Sequence, residues 1–311
     1  MAILRQAYGE ALLRHAGNNP LAAVLDADLA KSTMSALFRD AYPKRFYQVG
    51  VAEANMATMA AGMAAAGLKP FVHTFATFIS SLCYLAAKSL IGYSGYPVCF
   101  AGANSGLTGA YDGSTHHAFD DLAVMSMIPG MTVFAPSDRV IVDWMVREAA
   151  FEFHGPSYLS IPRVDLPDLY SEGETFAVGR AKILRDGVDA AVIACGPCVS
   201  RARTAAEHLE KRGISVRVID MFCLKPLDEE AIVQAARDTG AVVTVEEHSI
   251  LNGLGVRVAT VIARNGLAAS FRQVGLNDCY TESGSYRELV QKYRVDVPDI
   301  ERAVLEAMEK K

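Results

Sequence analysis

Short apolar runs of strand length alternate with stretches of helical period along almost the whole 311-residue chain, the pattern of parallel α/β layers. The first half reads as helix 3–17, strand 21–26, helix 33–41, strand 45–49, helix 53–66, strand 70–74, helix 76–91, strand 97–102, a Gly-rich loop 103–115, helix 118–127, strand 131–134, helix 137–152 and strand 157–161. Those elements suffice for a complete doubly wound domain. The acidic, proline-containing stretch Asp165-Leu-Pro-Asp-Leu-Tyr-Ser-Glu-Gly-Glu174 then breaks the alternation, so a linker is expected near residue 170. It divides the chain into expected domains 1–168 and 169–311. Strands 177–184, 190–195, 214–219, 241–246 and 270–274, with helices 199–211, 228–237, 253–265, 285–291 and 297–309, predict a second, smaller α/β domain.

Composition adds an expectation about partners. At 51% hydrophobic and 21% charged residues, the chain has more surface to bury than an ordinary domain pair needs, so self-association is expected. The net charge of −5 and the lack of a long Lys/Arg run argue against nucleic acid or anionic lipid as a partner. No apolar run reaches the ~18 residues of a membrane span, and the N-terminus reads as an amphipathic helix rather than a signal peptide; a cytoplasmic location is expected. The six cysteines lie mostly in apolar contexts, as reduced thiols do. Cys195-Gly-Pro-Cys198 stands between a strand and a helix, where a dithiol could sit, but no Trp precedes it and small residues at a tight turn explain it better. Neither a second CxxC nor a suitable His pair follows for zinc.

The strongest chemical candidate is Glu53, in Gly50-Val-Ala-Glu53-Ala-Asn-Met. It heads a helix whose Met56, Met59 and Met63 predict a buried stripe. A carboxyl group entering such a core can share a proton with a nitrogen base near neutral pH; the plain alternative is a carboxylate capping the helix start. The loop Ala101-Gly-Ala-Asn-Ser-Gly-Leu-Thr-Gly-Ala-Tyr-Asp112-Gly-Ser-Thr-His116-His117 is too long and Gly-rich for a mere connector. Its Asp112 and His116 could transfer protons or bind hydroxyl groups, or could satisfy their own turn. Phe75 and Phe78 could hold a flat heterocycle or simply pack in the core. Asp26, Asp28 and Ser32 follow a strand and suit either polar substrate or a helix cap. Arg163, with Arg5, could clamp an anion or form surface ion pairs. In Val245-Glu-Glu-His-Ser-Ile-Leu-Asn-Gly-Leu-Gly255 the helix start could receive an anion, although its glycines read as packing positions. Glu282-Ser-Gly-Ser285 reads as a helix cap without chemistry.

Taken together, Gly50-Val-Ala-Glu53-Ala-Asn-Met, Thr74-Phe-Ala-Thr-Phe78, Gly106-Leu-Thr-Gly-Ala-Tyr-Asp112-Gly-Ser-Thr-His116, Ile128-Pro-Gly-Met-Thr-Val-Phe-Ala-Pro-Ser-Asp138 and Val245-Glu-Glu-His-Ser resemble, in order, the pyrimidine-binding and C-terminal domains of transketolases. The 1-deoxyxylulose-5-phosphate synthases share both domains, and the β subunits of 2-oxoacid dehydrogenases are more distant. The resemblance implies an α/β fold of two doubly wound domains, a pyrimidine-binding thiamine diphosphate fold and a smaller transketolase C-terminal-like domain. By it, Glu53 matches the acid that hydrogen-bonds the aminopyrimidine of thiamine diphosphate, Phe75 and Phe78 hold the ring, and Asp28 lies near the cofactor. Ser81 stands where many transketolases have Tyr. Asp112 and His116 match groups binding donor hydroxyls, and Arg5, Ser32 and Arg163 match phosphate-binding positions for the acceptor. Asn104 occupies a place usually held by a His that contacts substrate.

Transketolases bind the diphosphate and its Mg²⁺ through a Gly-Asp-Gly segment followed by Asn, and the sequence has no such pair. The resemblance therefore implies the C-terminal subunit of a split transketolase, with no metal ligands of its own. Its N-terminal partner would supply the diphosphate-binding module in an α2β2 assembly acting on sugars or sugar phosphates. The alternatives are a 2-oxoacid dehydrogenase β component, a decarboxylating ligase like the deoxyxylulose-phosphate synthases, or a catalytically silent assembly subunit.

Overall fold

The computed structural model describes residues 2–311, with side chains from Leu4 onward. Its larger sheet has the order Cys223–Lys225, Thr132–Phe134, Ser157–Ile161, Cys99–Ala103, Lys69–Phe75, Ala22–Asp26, Phe46–Gln48. All neighbours are parallel except Cys223–Lys225, which runs antiparallel to Thr132–Phe134. The central strands Ala22–Asp26, Cys99–Ala103 and Ser157–Ile161 are buried at every position, as expected of parallel strands covered by helices on both faces. The smaller sheet has the order Ser270–Leu276, Ala241–Ser249, Ala190–Ala194, Val216–Asp220, Lys182–Arg185, with only the last pair antiparallel. The two sheets confirm the doubly wound α/β fold class.

Three details depart from the pattern in the sequence. Strand Cys223–Lys225 was not foreseen, and it completes the sheet of the first half although it belongs to the second. The expected helix 76–91 is broken into Ala76–Ser81, Tyr84–Ala86 and a wider π turn at Ala87–Gly92. The expected helix 33–41 is split into Ala30–Thr33 and Ala36–Ala41 by Met34 in a left-handed conformation. Helix Glu53–Ala65 buries Met56, Ala57, Ala60, Ala61 and Ala64, whereas Met59 and Met63 only pack at the margin. Its buried face thus follows i, i+4, i+8 through alanines, which let the helix lie close on the sheet.

The glycine-rich start of helix Leu254–Arg264 is taken by the chain itself. The buried Glu246 carboxylate accepts from Leu254 N (2.6 Å) and Gly255 N (2.9 Å), so the orphan N–H groups of that helix end are satisfied internally. A Cβ on Gly253 would lie 1.9 Å from Glu246 Oε2, which explains the glycine there. Among the described residues no helix is long and apolar enough to cross a membrane.

Candidate active site

The candidates gather along one edge of the larger sheet, just past the carboxyl ends of its parallel strands. Asp28 follows Ala22–Asp26, Phe75 ends Lys69–Phe75, Asn104 follows Cys99–Ala103, and Arg163 follows Ser157–Ile161. Loops leave a crevice at this edge of an open α/β sheet. The strand register sets Phe75 directly beside Ala103, one residue before Asn104.

Glu53 is the first residue of its helix and 5% exposed. Its carboxylate accepts a hydrogen bond from Thr74 Oγ1 at 3.2 Å, while the N-cap position is filled by Ala52 without a side-chain cap. The acid is therefore turned toward the neighbouring strand rather than spent on capping. Cys83 packs behind it, its Sγ donating to the Glu53 carbonyl at 3.4 Å. Burial, and then the charge of Glu53, push the Cys83 thiol up, so it stays neutral.

On the strand end that carries Thr74, the Phe75 and Phe78 rings lie 5.8 Å apart and tilted by 35°. The His116 ring stands edge-on to both, at 5.8 Å from Phe75 and 5.4 Å from Phe78. Two rings and an imidazole thus form an aromatic corner suited to a flat heterocycle. Ser81 is exposed, and its hydroxyl turns back to Thr77 O at 2.6 Å.

Asn104, Asp112, Arg163, Arg5 and Ser32 form a second, polar group. Asn104 is buried at φ 59°, and its Nδ2 donates to Asp112 Oδ2 at 3.3 Å. Its Oδ1 is buried with no partner among the described residues, an acceptor left free for a donor. Arg163 Nη1 lies 3.7 Å from Asp112 Oδ2. Arg5 Nη1 donates to the Ser32 carbonyl at 3.4 Å, so Ser32 meets it through its backbone. Burial and then the neighbouring Arg163 hold the Arg5 guanidinium below its ordinary proton affinity. Two cations thus stand near one another with the Asp112 carboxylate beside Arg163, an arrangement favourable to a bound anion.

The loop carrying Asp28 is shaped by a residue that has no direct role. Buried Asp26 accepts from Leu29 N (2.6 Å), Thr33 Oγ1 (2.9 Å) and Ser35 Oγ (2.9 Å). Gln48 Oε1 accepts from both Asp28 N (2.8 Å) and Gly50 N (3.1 Å), tying the Asp28 loop to the one that leads into Glu53. Asp28 itself is exposed, with φ 65°. Gln48 had no signal in the sequence, and neither did Tyr8, whose hydroxyl donates to buried His73 Nε2 at 2.7 Å beneath the site.

The CxxC pair is structural. Cys195 and Cys198 are both buried free thiols, and burial pushes both up, Cys198 to about 12; a thiol so placed forms no accessible thiolate.

Family models match both halves of the chain. The transketolase pyrimidine-binding domain matches residues 2–168 and the transketolase C-terminal domain residues 179–300. A candidate transketolase C-terminal section from Methanocaldococcus jannaschii is 40% identical over 99% of this chain and 96% of its own length. A 6-deoxy-6-sulfo-D-fructose transketolase subunit from Clostridium sp. (strain MSTE9) is 37% identical over 99% of this chain and 95% of its own. Among solved structures, a split-gene transketolase, described as an inactive β4 tetramer, superposes with a TM-score of 0.92 and 39% identity over the full length of both chains. The chain belongs to the transketolase family and corresponds to its C-terminal section, the pyrimidine-binding and C-terminal domains of a thiamine diphosphate-dependent enzyme family.

Proposed function

We propose that this chain is the C-terminal subunit of a two-chain transketolase, moving a two-carbon ketol unit from a ketose to an aldose. The observation that carries the reading is Glu53, buried and bonded among the described residues to one neutral partner, Thr74 Oγ1, with the Phe75, Phe78 and His116 corner beginning at the next residue of the strand. The residues fit the pyrimidine half of thiamine diphosphate: the aromatic corner receives the ring, and the Glu53 carboxyl hydrogen-bonds its nitrogen edge. Bound there, the cofactor supplies the nucleophilic carbon and the electron sink for ketol transfer. Glu53 would hydrogen-bond the bound ring, and Asp112 and His116 would orient donor hydroxyls.

The diphosphate and Mg²⁺ belong, in this reading, to an N-terminal partner subunit. Among the described residues no group of three or more His, Cys, Asp or Glu side chains converges to hold a metal. Val51, two residues before Glu53, and Leu82, Leu85 and Tyr93, in or next to the turns packed on helix Glu53–Ala65, are exposed, apolar surface in keeping with a subunit interface. The inactive β4 state described for the split-gene relative supports both self-association and dependence on a partner, and we place the pair in an α2β2 assembly. The Arg5 and Arg163 pair favours a substrate with an anionic end, consistent with the sulfosugar relative.

A second reading has support from a 1-deoxy-D-xylulose-5-phosphate synthase of Heliobacterium modesticaldum, 33% identical over 97% of this chain and 46% of its own length. It predicts carbon dioxide release from a 2-oxoacid, whereas ketol transfer releases none. The complex co-purified with its N-terminal partner, given thiamine diphosphate, Mg²⁺ and a panel of ketoses and aldoses, is expected to form a new ketose without carbon dioxide. Carbon dioxide evolution from pyruvate would favour the second reading instead.

A further inference from the structure

We infer that the C-terminal half acts as a jig for the substrate loop: Thr281 and Ser283, with Glu247, are positioning residues for Asp112 and His116. The inference rests on the reading of that loop as the donor-binding element. It gives a task to the segment 281–285, in which the sequence shows only a helix cap.

Three anchors from the second half grip the loop on both sides of Asp112. Glu247 Oε2 accepts from Leu107 N at 3.2 Å. That carboxylate is itself fixed by Arg201 Nη2 at 2.6 Å and by the Tyr286 hydroxyl. Gly106, at φ +59°, lets the chain pass so closely that a Cβ there would come within 2.9 Å of Glu247 Cβ. Further along, Ser283 Oγ donates to Tyr111 O at 2.7 Å, one residue before Asp112. Thr281 works through His117, whose Nδ1 lies 2.7 Å from Thr281 Oγ1 and whose Nε2 lies 3.1 Å from Ala110 O.

The chemistry of His117 fixes the direction of this relay. A carbonyl oxygen only accepts, so Nε2 carries the hydrogen and Nδ1 accepts from the buried Thr281 hydroxyl. The relay needs the neutral imidazole, and burial holds His117 in that form against the charges of Asp112 and Glu247. Among the described residues the Asp112 side chain is meanwhile met only by Asn104 at 3.3 Å and Arg163 at 3.7 Å. These weak contacts leave its aim to the backbone on either side, which the second half holds. An aim held to a fraction of an ångström matters for rate as well as affinity.

The test uses the complete complex carrying Thr281→Val with Ser283→Ala. The expected result is a donor KM raised about tenfold, with the acceptor KM within about twofold. Amide hydrogen exchange in residues 105–117 should quicken while that of helix 53–65 is unchanged. Thr281→Ser with Ser283 intact, which keeps both hydroxyls, should leave both at the wild-type value. An unchanged donor KM with unchanged loop exchange would overturn the proposal, as would an equal loss toward both substrates with faster exchange throughout the chain. Asp112→Asn separates the premise from the inference: if it leaves the donor KM unaltered, the donor-binding reading falls, while loop exchange still judges the anchors.

Discussion

Glu53 draws its chemistry from its position between a helix start and a strand end. Burial removes water from the carboxyl, and the one hydroxyl that reaches it, Thr74 Oγ1, leaves capacity for a ligand nitrogen. Glu53→Gln keeps the shape but loses the proton exchange, so ketol transfer by the reconstituted complex should fall about 10²- to 10⁴-fold with assembly intact; steady-state kinetics and size-exclusion chromatography check it. Arg163 is predicted to act on affinity instead. With Arg5 beside it, Arg163→Ala should raise the KM for an anionic substrate about 10- to 100-fold and leave an uncharged analogue nearly unaffected. A comparison of the two substrates in the same variant measures this.

At the scale of elements, the connection between the two halves carries its own titration. Asp138 caps helix Arg139–Phe151 and also accepts from Leu169 N and Tyr170 N, both at 2.9 Å. Tyr170 OH in turn donates to buried Asp220 Oδ2 at 2.9 Å, where Ser137 also donates. Burial raises Asp220 to about 7, with Asp138 adding to it and the two hydroxyls opposing it. The folded state therefore binds a proton that the unfolded chain has already released above its ordinary carboxylate range. The stabilisation is complete at pH below that range and is lost as pH rises through about 7. Thermal unfolding from pH 4 to 9 should show stability falling up to about pH 7 and levelling off above it, and Asp220→Asn should flatten that slope; an unchanged slope would contradict the assignment.

How much was legible follows from the reach of each signal. Strand Ser157–Ile161 and helix Val297–Met308 are local patterns, and the sequence places them within a residue or so of where they lie. Asp112, Arg163, Arg5 and Asn104 were candidates from their motifs, and the structure brings them together. Strand Cys223–Lys225 was missed because it is short and gains its partner from the other half of the chain. Thr281, Ser283 and Gln48 were missed for a related reason: each acts on backbone far away in sequence or through a loop crossing, and no periodicity records such contacts. The CxxC was legible as letters, but only burial shows that its thiols are inert.

Across the whole molecule, the account makes this chain half of a cofactor site. It carries the candidate acid, rings and substrate loop, it exposes the apolar side chains Val51, Leu82, Leu85 and Tyr93, and its second half holds the loop through Glu247 and Ser283. In the proposed reading the other half comes from an N-terminal partner that covers this apolar surface. The most direct test is calorimetric titration of thiamine diphosphate with Mg²⁺ into this chain, into its N-terminal partner, and into their mixture. The account predicts binding at least about tenfold tighter in the mixture than in either chain alone, together with ketol transfer only there. Equally tight binding and full ketol transfer by this chain alone would contradict it.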